Sequence, residues 1–267
     1  MSYLFTRLSF DVPFDNPTYV DESSVRRLIN PEFNPESGFV NWMFGGSADS
    51  LTSLSGGHLM TPSAGALPTY KNSSLVLPAV VTGFNGLSTE YHDSNSMTLT
   101  AVIQYTGAAT QILLGVNTGT QGECIFMSGT SVMTHLVRNA QGASVTTEIP
   151  VPAGLTAGKY IFLAFSRNGN NLISMVGGAS TQVNLTDSVK TPATAAKVGP
   201  GNTAYNTNGF SKQLEVVECL YRDGPTTLAD LQTAYANAKT RCALRGISLL
   251  TAAHLRSYGY KPVCNVR

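Results

Sequence analysis

The sequence predicts an all-β protein: a two-sheet antiparallel β-sandwich that carries one C-terminal helix and is preceded by an extended N-terminal arm. Three observations predict it. Short apolar or alternating runs recur at intervals of roughly ten residues through the middle of the chain, separated by Gly- and Thr-rich turns, which is the spacing of a sandwich or barrel. Two such runs, 159–166 and 172–176, flank Asn168-Gly169, a pair suited to the positive φ of a tight hairpin. A helical period occurs late, immediately after a strand that is apolar on both faces.

The arm comes first. Residues 1–40 are broken by Pro13, Pro17, Pro31 and Pro35 and hold one short helical run at 23–29. Leu4, Phe5, Leu8, Phe10 and Phe14 follow no period long enough for a core element, so these aromatics either pack back on the same subunit or dock on a neighbour. We read Phe5, Phe10 and Phe14 as assembly contacts. From Trp42 to Pro78 turns are frequent, and Trp42, the single tryptophan, is expected to anchor the core. Strands are then predicted at 97–105, 111–116, 123–127, 132–138, 145–149, 159–166 and 172–176, with weaker ones at 182–185 and 195–198. An Asn- and Gly-rich loop spans 199–209. The last strand, 213–221, is largely apolar on both sides.

Asp223-Gly224-Pro225 ends that strand, and Thr227 with Asp230 has the form of a capping box opening a helix over 227–245. Leu228, Leu231, Tyr235, Ala238 and Cys242 draw one apolar stripe that must lie on a sheet, while Gln232, Asn237, Lys239 and Arg241 fall off it. Lys239, Arg241 and Arg245 suit the negative end of the helix dipole, and Gly246 suits the left-handed stop. The expected organisation is therefore arm 1–40, sandwich with helix 41–246, and tail 247–267.

Charged residues make up 12% of the 267-residue chain, about half the usual share for soluble domains, so Ser, Thr, Asn and Gln supply the surface polarity. A net charge of +1 without a basic cluster argues against a nucleic-acid partner. We expect no signal peptide and no membrane insertion, because no apolar run approaches 18 residues. Cys124, Cys219, Cys242 and Cys264 lack zinc-ligand spacing and read as thiols of a protein made in a reducing cytosol, with a Cys219–Cys242 bridge left open.

One resemblance is specific. The strand at 97–105, the run from Val151 to Gly154 ahead of 159–170, the loop from Val198 to Asn202 leading into 210–221, and the helix opening at Leu228 together resemble a concanavalin A-like (laminin G/pentraxin-type) jelly roll. The ending 235–247 is similar to the version in virion structural proteins of tailed bacteriophages. The resemblance covers about 42–250. It implies a tail, baseplate or fibre-associated component, made in the host cytoplasm and located in the virion, with other virion proteins and a homo-oligomer as partners. A glycan-binding receptor-recognition module and a capsid decoration protein are the alternatives, and a polysaccharide-degrading enzyme ranks last.

Catalytic patterns are scarce. Glycosidases of this sandwich carry carboxylates at alternate positions of one strand, whereas Glu215 and Glu218 are three apart, which places them on opposite faces, Glu218 at a rim and Glu215 in solvent. No Gly-x-Ser-x-Gly occurs, and Gly154–Lys159 and Gly199–Ala204 read as turns rather than phosphate or dinucleotide loops. No enzyme, cofactor or metal is expected, although calcium is common in the wider family that the chain resembles. If a host surface glycan binds, it calls for an aromatic face beside amides and hydroxyls. Tyr91, His92 and Asp93 in a solvated loop, and Tyr205, Asn206 and Asn208 in the 199–209 loop, offer that chemistry.

Overall fold

The structure, a computed structural model, describes residues 35–130, 132–184 and 189–250. Phe5, Phe10 and Phe14, most of the proposed arm, most of the tail and Cys264 lie outside these residues.

In chain order the elements are β1 (Val40–Met43), a 3-10 turn (Ala48–Leu51), β2 (Thr61–Pro62), β3 (Thr69–Tyr70), β4 (Leu75–Leu77), β5 (Leu87–Ser88), β6 (Ser96–Gln104), β7 (Gln111–Asn117), β8 (Gly122–Met127), β9 (Met133–Arg138), β10 (Ser144–Ile149), β11 (Tyr160–Asn168), β12 (Asn171–Val176), β13 (Ala179–Asn184), β14 (Gly199–Pro200), β15 (Leu214–Asp223) and α1 (Leu228–Leu244). All named strand pairings are antiparallel. One sheet runs β13-β12-β11-β6-β15-β4-β3 with β1 also on β15; the second runs β10-β9-β8-β7-β14; β2 and β5 form a small ladder. This is the predicted two-sheet sandwich, with one α-helix among the described residues, after the last strand.

The core lies between the sheets. Leu99, Ile103, Ile161, Leu163 and Phe165 of the larger sheet face Leu113, Ile125, Met127 and Val137 of the smaller one, all buried. Trp42 is fully buried among them and donates its indole N–H to the His58 carbonyl, 2.9 Å. The weak strand expected at 195–198 shortens to β14 plus an isolated His92–Lys197 bridge. Gly199 permits that pairing, because a Cβ there would sit 1.7 Å from the Leu87 carbonyl oxygen. In the β11–β12 hairpin Asn168 pairs with Asn171, so the two central turn residues are Gly169 and Asn170 rather than Asn168-Gly169. Only Gly169 adopts positive φ (58°), at the first central position, as in a type II′ turn.

The helix covers the outer face of the larger sheet. Leu231, Ala234, Tyr235, Ala238 and Cys242 pack on Val102, Phe162, Ala164, Met175 and Val217. Thr227 caps it, its hydroxyl oxygen accepting from the Asp230 amide at 3.2 Å; the Asp230 carboxylate accepts from that same hydroxyl (2.7 Å), in place of the backbone amide expected of a capping box. Arg241 is not off the buried face, as its position outside the apolar stripe suggested. It is 3% exposed and held by Glu218 and Glu36. Arg245 serves as more than a dipole charge, donating to the Val217 carbonyl at 3.1 Å and to the carbonyls of Phe44 and Ser73. Cys219 belongs to the inter-sheet core and Cys242 to the helix interface, so the two are separate free thiols. No helix among the described residues is long and apolar enough to cross a membrane.

Candidate ligand-binding site

The loop between β14 and β15 lies against the outer face of the smaller sheet. There Ile112, Cys124 and Leu136 form a small apolar patch, with Phe126, Tyr205 and Phe210 packed on it. Asn202, fully buried, sets the loop: its amide nitrogen donates to the Tyr205 carbonyl and to Ser211 Oγ, both 2.9 Å, and its oxygen accepts from the Tyr205 amide at 2.8 Å. The Tyr205 ring is thereby held edge-on to Phe210, centroids 4.8 Å apart and planes at 85°. Arg138, at the end of β9, places its guanidinium carbon 5.9 Å from the Tyr205 centroid. Asn206 and Asn208, which follow Tyr205 in the same loop, are exposed.

Arg138 was not legible as part of this site, because in the sequence it is only the last residue of a strand. Its Nε donates to Asn117 Oδ1 (3.1 Å), and its Nη1 donates to the Gly142 carbonyl (3.2 Å) and to Ser144 Oγ (2.7 Å). All these acceptors are neutral. Among the described residues no carboxylate forms an ion pair with Arg138, so a partly exposed positive charge stands beside the aromatic ring of a loop that carries two exposed amides.

The 91–93 segment divides. Tyr91 stacks on Tyr221, centroids 4.1 Å apart at 11°, and its hydroxyl meets His58 Nδ1 at 3.2 Å, while His58 pairs with Glu90. Burial, with Glu90 and Asp223 nearby, raises the Tyr91 phenol pKa. His92 is exposed. Asp93 is not in a solvated loop. It is 2% exposed and accepts from Lys190 Nζ and from the Ala193 amide (2.8 Å). The sequence could not show this, since Lys190 is remote in the chain and reaches Asp93 only when the 189–198 segment folds over the sandwich. No hydrogen bond or ring contact among the described residues joins 91–93 to 205–208.

Asp93 belongs to a buried ionic cluster spanning both sheets. Glu123 on β8 accepts from Lys190 Nζ (2.6 Å), from Arg167 on β11 through Nε (3.1 Å), and from His135 Nε2 on β9 (3.0 Å). His135 Nδ1 lies 2.9 Å from Ser174 Oγ on β12. Burial opposes the Glu123 charge, but Lys190 and Arg167 outweigh it and hold its carboxyl well below the usual range. Burial pushes the His135 pKa down and that of Asp93 up. The two carboxylates of the cluster, Asp93 and Glu123, are thus matched by two cations, Lys190 and Arg167, which donate to their oxygens.

Glu215 and Glu218 also depart from expectation. A β-bulge at Val217 places Glu215 opposite Gln104 and Glu218 opposite Val102, two positions of one face of β6. Both glutamates therefore share the helix-covered face, at 4% and 0% exposure, neither at a rim nor in solvent. Each is nevertheless engaged: Glu215 by Ser74 (2.6 Å), Tyr160 (2.7 Å) and Lys71 (2.5 Å), and Glu218 by Arg241 (2.9 and 3.0 Å). These hydrogen bonds and Lys71 keep the Glu215 carboxyl below its ordinary range against the effect of burial. Each carboxylate thus has its oxygens occupied by donors from the same subunit.

No protein-family model and no curated protein matches the sequence. Solved structures do. The binding domain of Paraclostridial Mosquitocidal Protein 1 superposes with a TM-score of 0.55 at 10% identity, over 75% of this chain and 52% of that one. The botulinum neurotoxin serotype G binding domain gives 0.53 at 10% identity, over 75% and 51%. The serotype D ligand-binding domain, solved in complex with N-acetylneuraminic acid, gives 0.52 at 9% identity, over 75% and 51%. The likeness is one of fold. It spans about half of each neighbour, and those neighbours are binding domains rather than catalytic ones.

Proposed function

We propose that this protein is a non-catalytic glycan-binding module, and that it holds a host surface glycan at Tyr205, Asn206 and Asn208 with Arg138. The observation that carries the reading is the Tyr205 ring fixed by Phe210 and the buried Asn202 beside an Arg138 guanidinium that has no carboxylate partner among the described residues. An aromatic face suits the C–H face of a sugar, amides suit its hydroxyls, and a guanidinium paired only with neutral acceptors suits a carboxylate. The preferred ligand is therefore an acidic glycan, a preference that the sialic acid complex of one structural neighbour supports. Tyr91 and His92 form a secondary aromatic surface, and Asp93 is assigned to the ionic cluster.

The setting we propose is a virion part, such as a tail, baseplate or fibre component, in which this module serves adhesion while Phe5, Phe10 and Phe14 serve assembly. Its support is the likeness of 235–247 to phage structural proteins. Calorimetric titration with sialylated and matched neutral oligosaccharides tests the glycan reading. Tyr205→Ala should abolish binding of both. Arg138→Gln should erase the preference for the acidic sugar while retaining the neutral one. Unchanged titrations for both variants would refute the site.

A further inference from the structure

The outer face of the larger sheet changes character where α1 begins. Under the helix it is mainly apolar, built from Val102, Phe162, Ala164 and Met175, apart from Glu215 and the Glu218–Arg241 pair. Beyond the helix N-terminus, β11, β12 and β13 present Asn168, Asn171 and Gln182, and these enclose, with Ile173, Pro225 and Leu228, a cavity of about 320 Å³. Its back wall is fixed by buried hydroxyls. Thr98 Oγ1 donates to Thr226 Oγ1 (2.8 Å) or to the Gly224 carbonyl (2.9 Å), and Ser166 Oγ accepts from the Thr226 amide (2.7 Å) and donates to the Thr226 carbonyl (2.8 Å). That network anchors the helix start to β6 and β11 and sets its distance from β12 and β13.

We infer that this cavity is a second ligand site, separate from the Tyr205 loop, and that it takes a neutral pyranose sugar. Its walls combine an aliphatic floor of Ile173, Pro225 and Leu228 with three exposed amides, whose side chains have no hydrogen-bond partner among the described residues. Each amide offers two donors and one acceptor, the mixture that vicinal hydroxyls require, and the floor suits sugar C–H groups. Among the described residues no charged side chain lines the space. The helix start is not an anion receptor, because Thr227 already caps it and the Asp230 carboxylate occupies the first turn. The volume sits at the small end of ligand pockets, about 300–1,000 Å³, and fits a mono- or disaccharide.

The test is a titration of the full ¹⁵N-labelled chain, following the side-chain amide resonances of Asn168, Asn171 and Gln182. The probes are D-glucose, D-galactose, D-mannose and N-acetylglucosamine, with inorganic phosphate and N-acetylneuraminic acid alongside. At least one neutral sugar should shift these resonances saturably. Gln182→Ala and Asn171→Ala should each weaken that response about three- to tenfold with melting temperature unchanged. Tyr205→Ala should leave it intact, so failure of this inference is distinguishable from failure of the Tyr205 site. Silence to every neutral sugar, a response to phosphate in their place, or loss of the response in Tyr205→Ala would overturn the inference.

Discussion

Glu123 accepts hydrogen bonds from Lys190, Arg167 and His135, residues contributed by both sheets and by the segment after β13. Removing one partner of such a buried set strands the others, so Glu123→Gln should cost about 3–5 kcal/mol in chemical denaturation. The cluster also predicts a pH dependence. His135 binds its proton less readily when folded than at its unfolded value of 6.5, so stability should fall as pH drops below that value. Glu123, whose folded pKa is depressed, adds a further loss at lower pH, while Asp93, whose folded pKa is raised, offsets part of it. Denaturation midpoints from pH 7.5 to 4 should show His135→Gln losing the first of these declines. Equal slopes for both proteins near pH 6 would contradict the assignment. At Tyr205, packing against Phe210 means that Tyr205→Ala should cost about 1–2 kcal/mol, more than a bare loop residue would, whereas Asn208→Ala should stay within about 0.5 kcal/mol.

The helix and its strand are where local signals were strongest. A Thr cap, a stripe at steps of three and four, and a terminal glycine all act within the chain's own neighbourhood, and α1 follows them to within a residue at each end. Leu231→Ala should accordingly cost about 2–5 kcal/mol, read by thermal or chemical unfolding. Arg241 shows where such reasoning ends. A guanidinium off the apolar stripe reads as solvent-facing until Glu218, brought to the same face by the bulge at Val217, supplies its partner. Period-two counting across 215–218 fails for the same reason, since one extra residue moves the following side chains to the other face. The long strands were legible from apolar or alternating runs. The two-residue strands β2, β3, β5 and β14 were not, because they are set by distant contacts such as the approach of Gly199 to Leu87. Gly199→Ala should cost about 3 kcal/mol or more, since the new methyl has no room beside that carbonyl.

For the whole molecule, the sequence gives reasons for a sandwich, and the superposition on toxin binding domains at about 10% identity is what a shared fold without close kinship looks like. Three of the four residues of the candidate site were legible as loop composition: Tyr205, Asn206 and Asn208 stand in an Asn-rich turn. Arg138 was not, because it joins them only through the packing of β9 under that loop, and Asp93 left the candidate set because Lys190 draws it inward. A fold alone does not specify a function, so the account rests on the site. The most direct measurement is a glycan array probed with the wild-type full chain and with Tyr205→Ala, with released sugar assayed on every positive. The account predicts that the wild-type protein retains acidic glycans, that Tyr205→Ala does not, and that no sugar is released; retention unaffected by the substitution, or cleavage of a bound glycan, would contradict it.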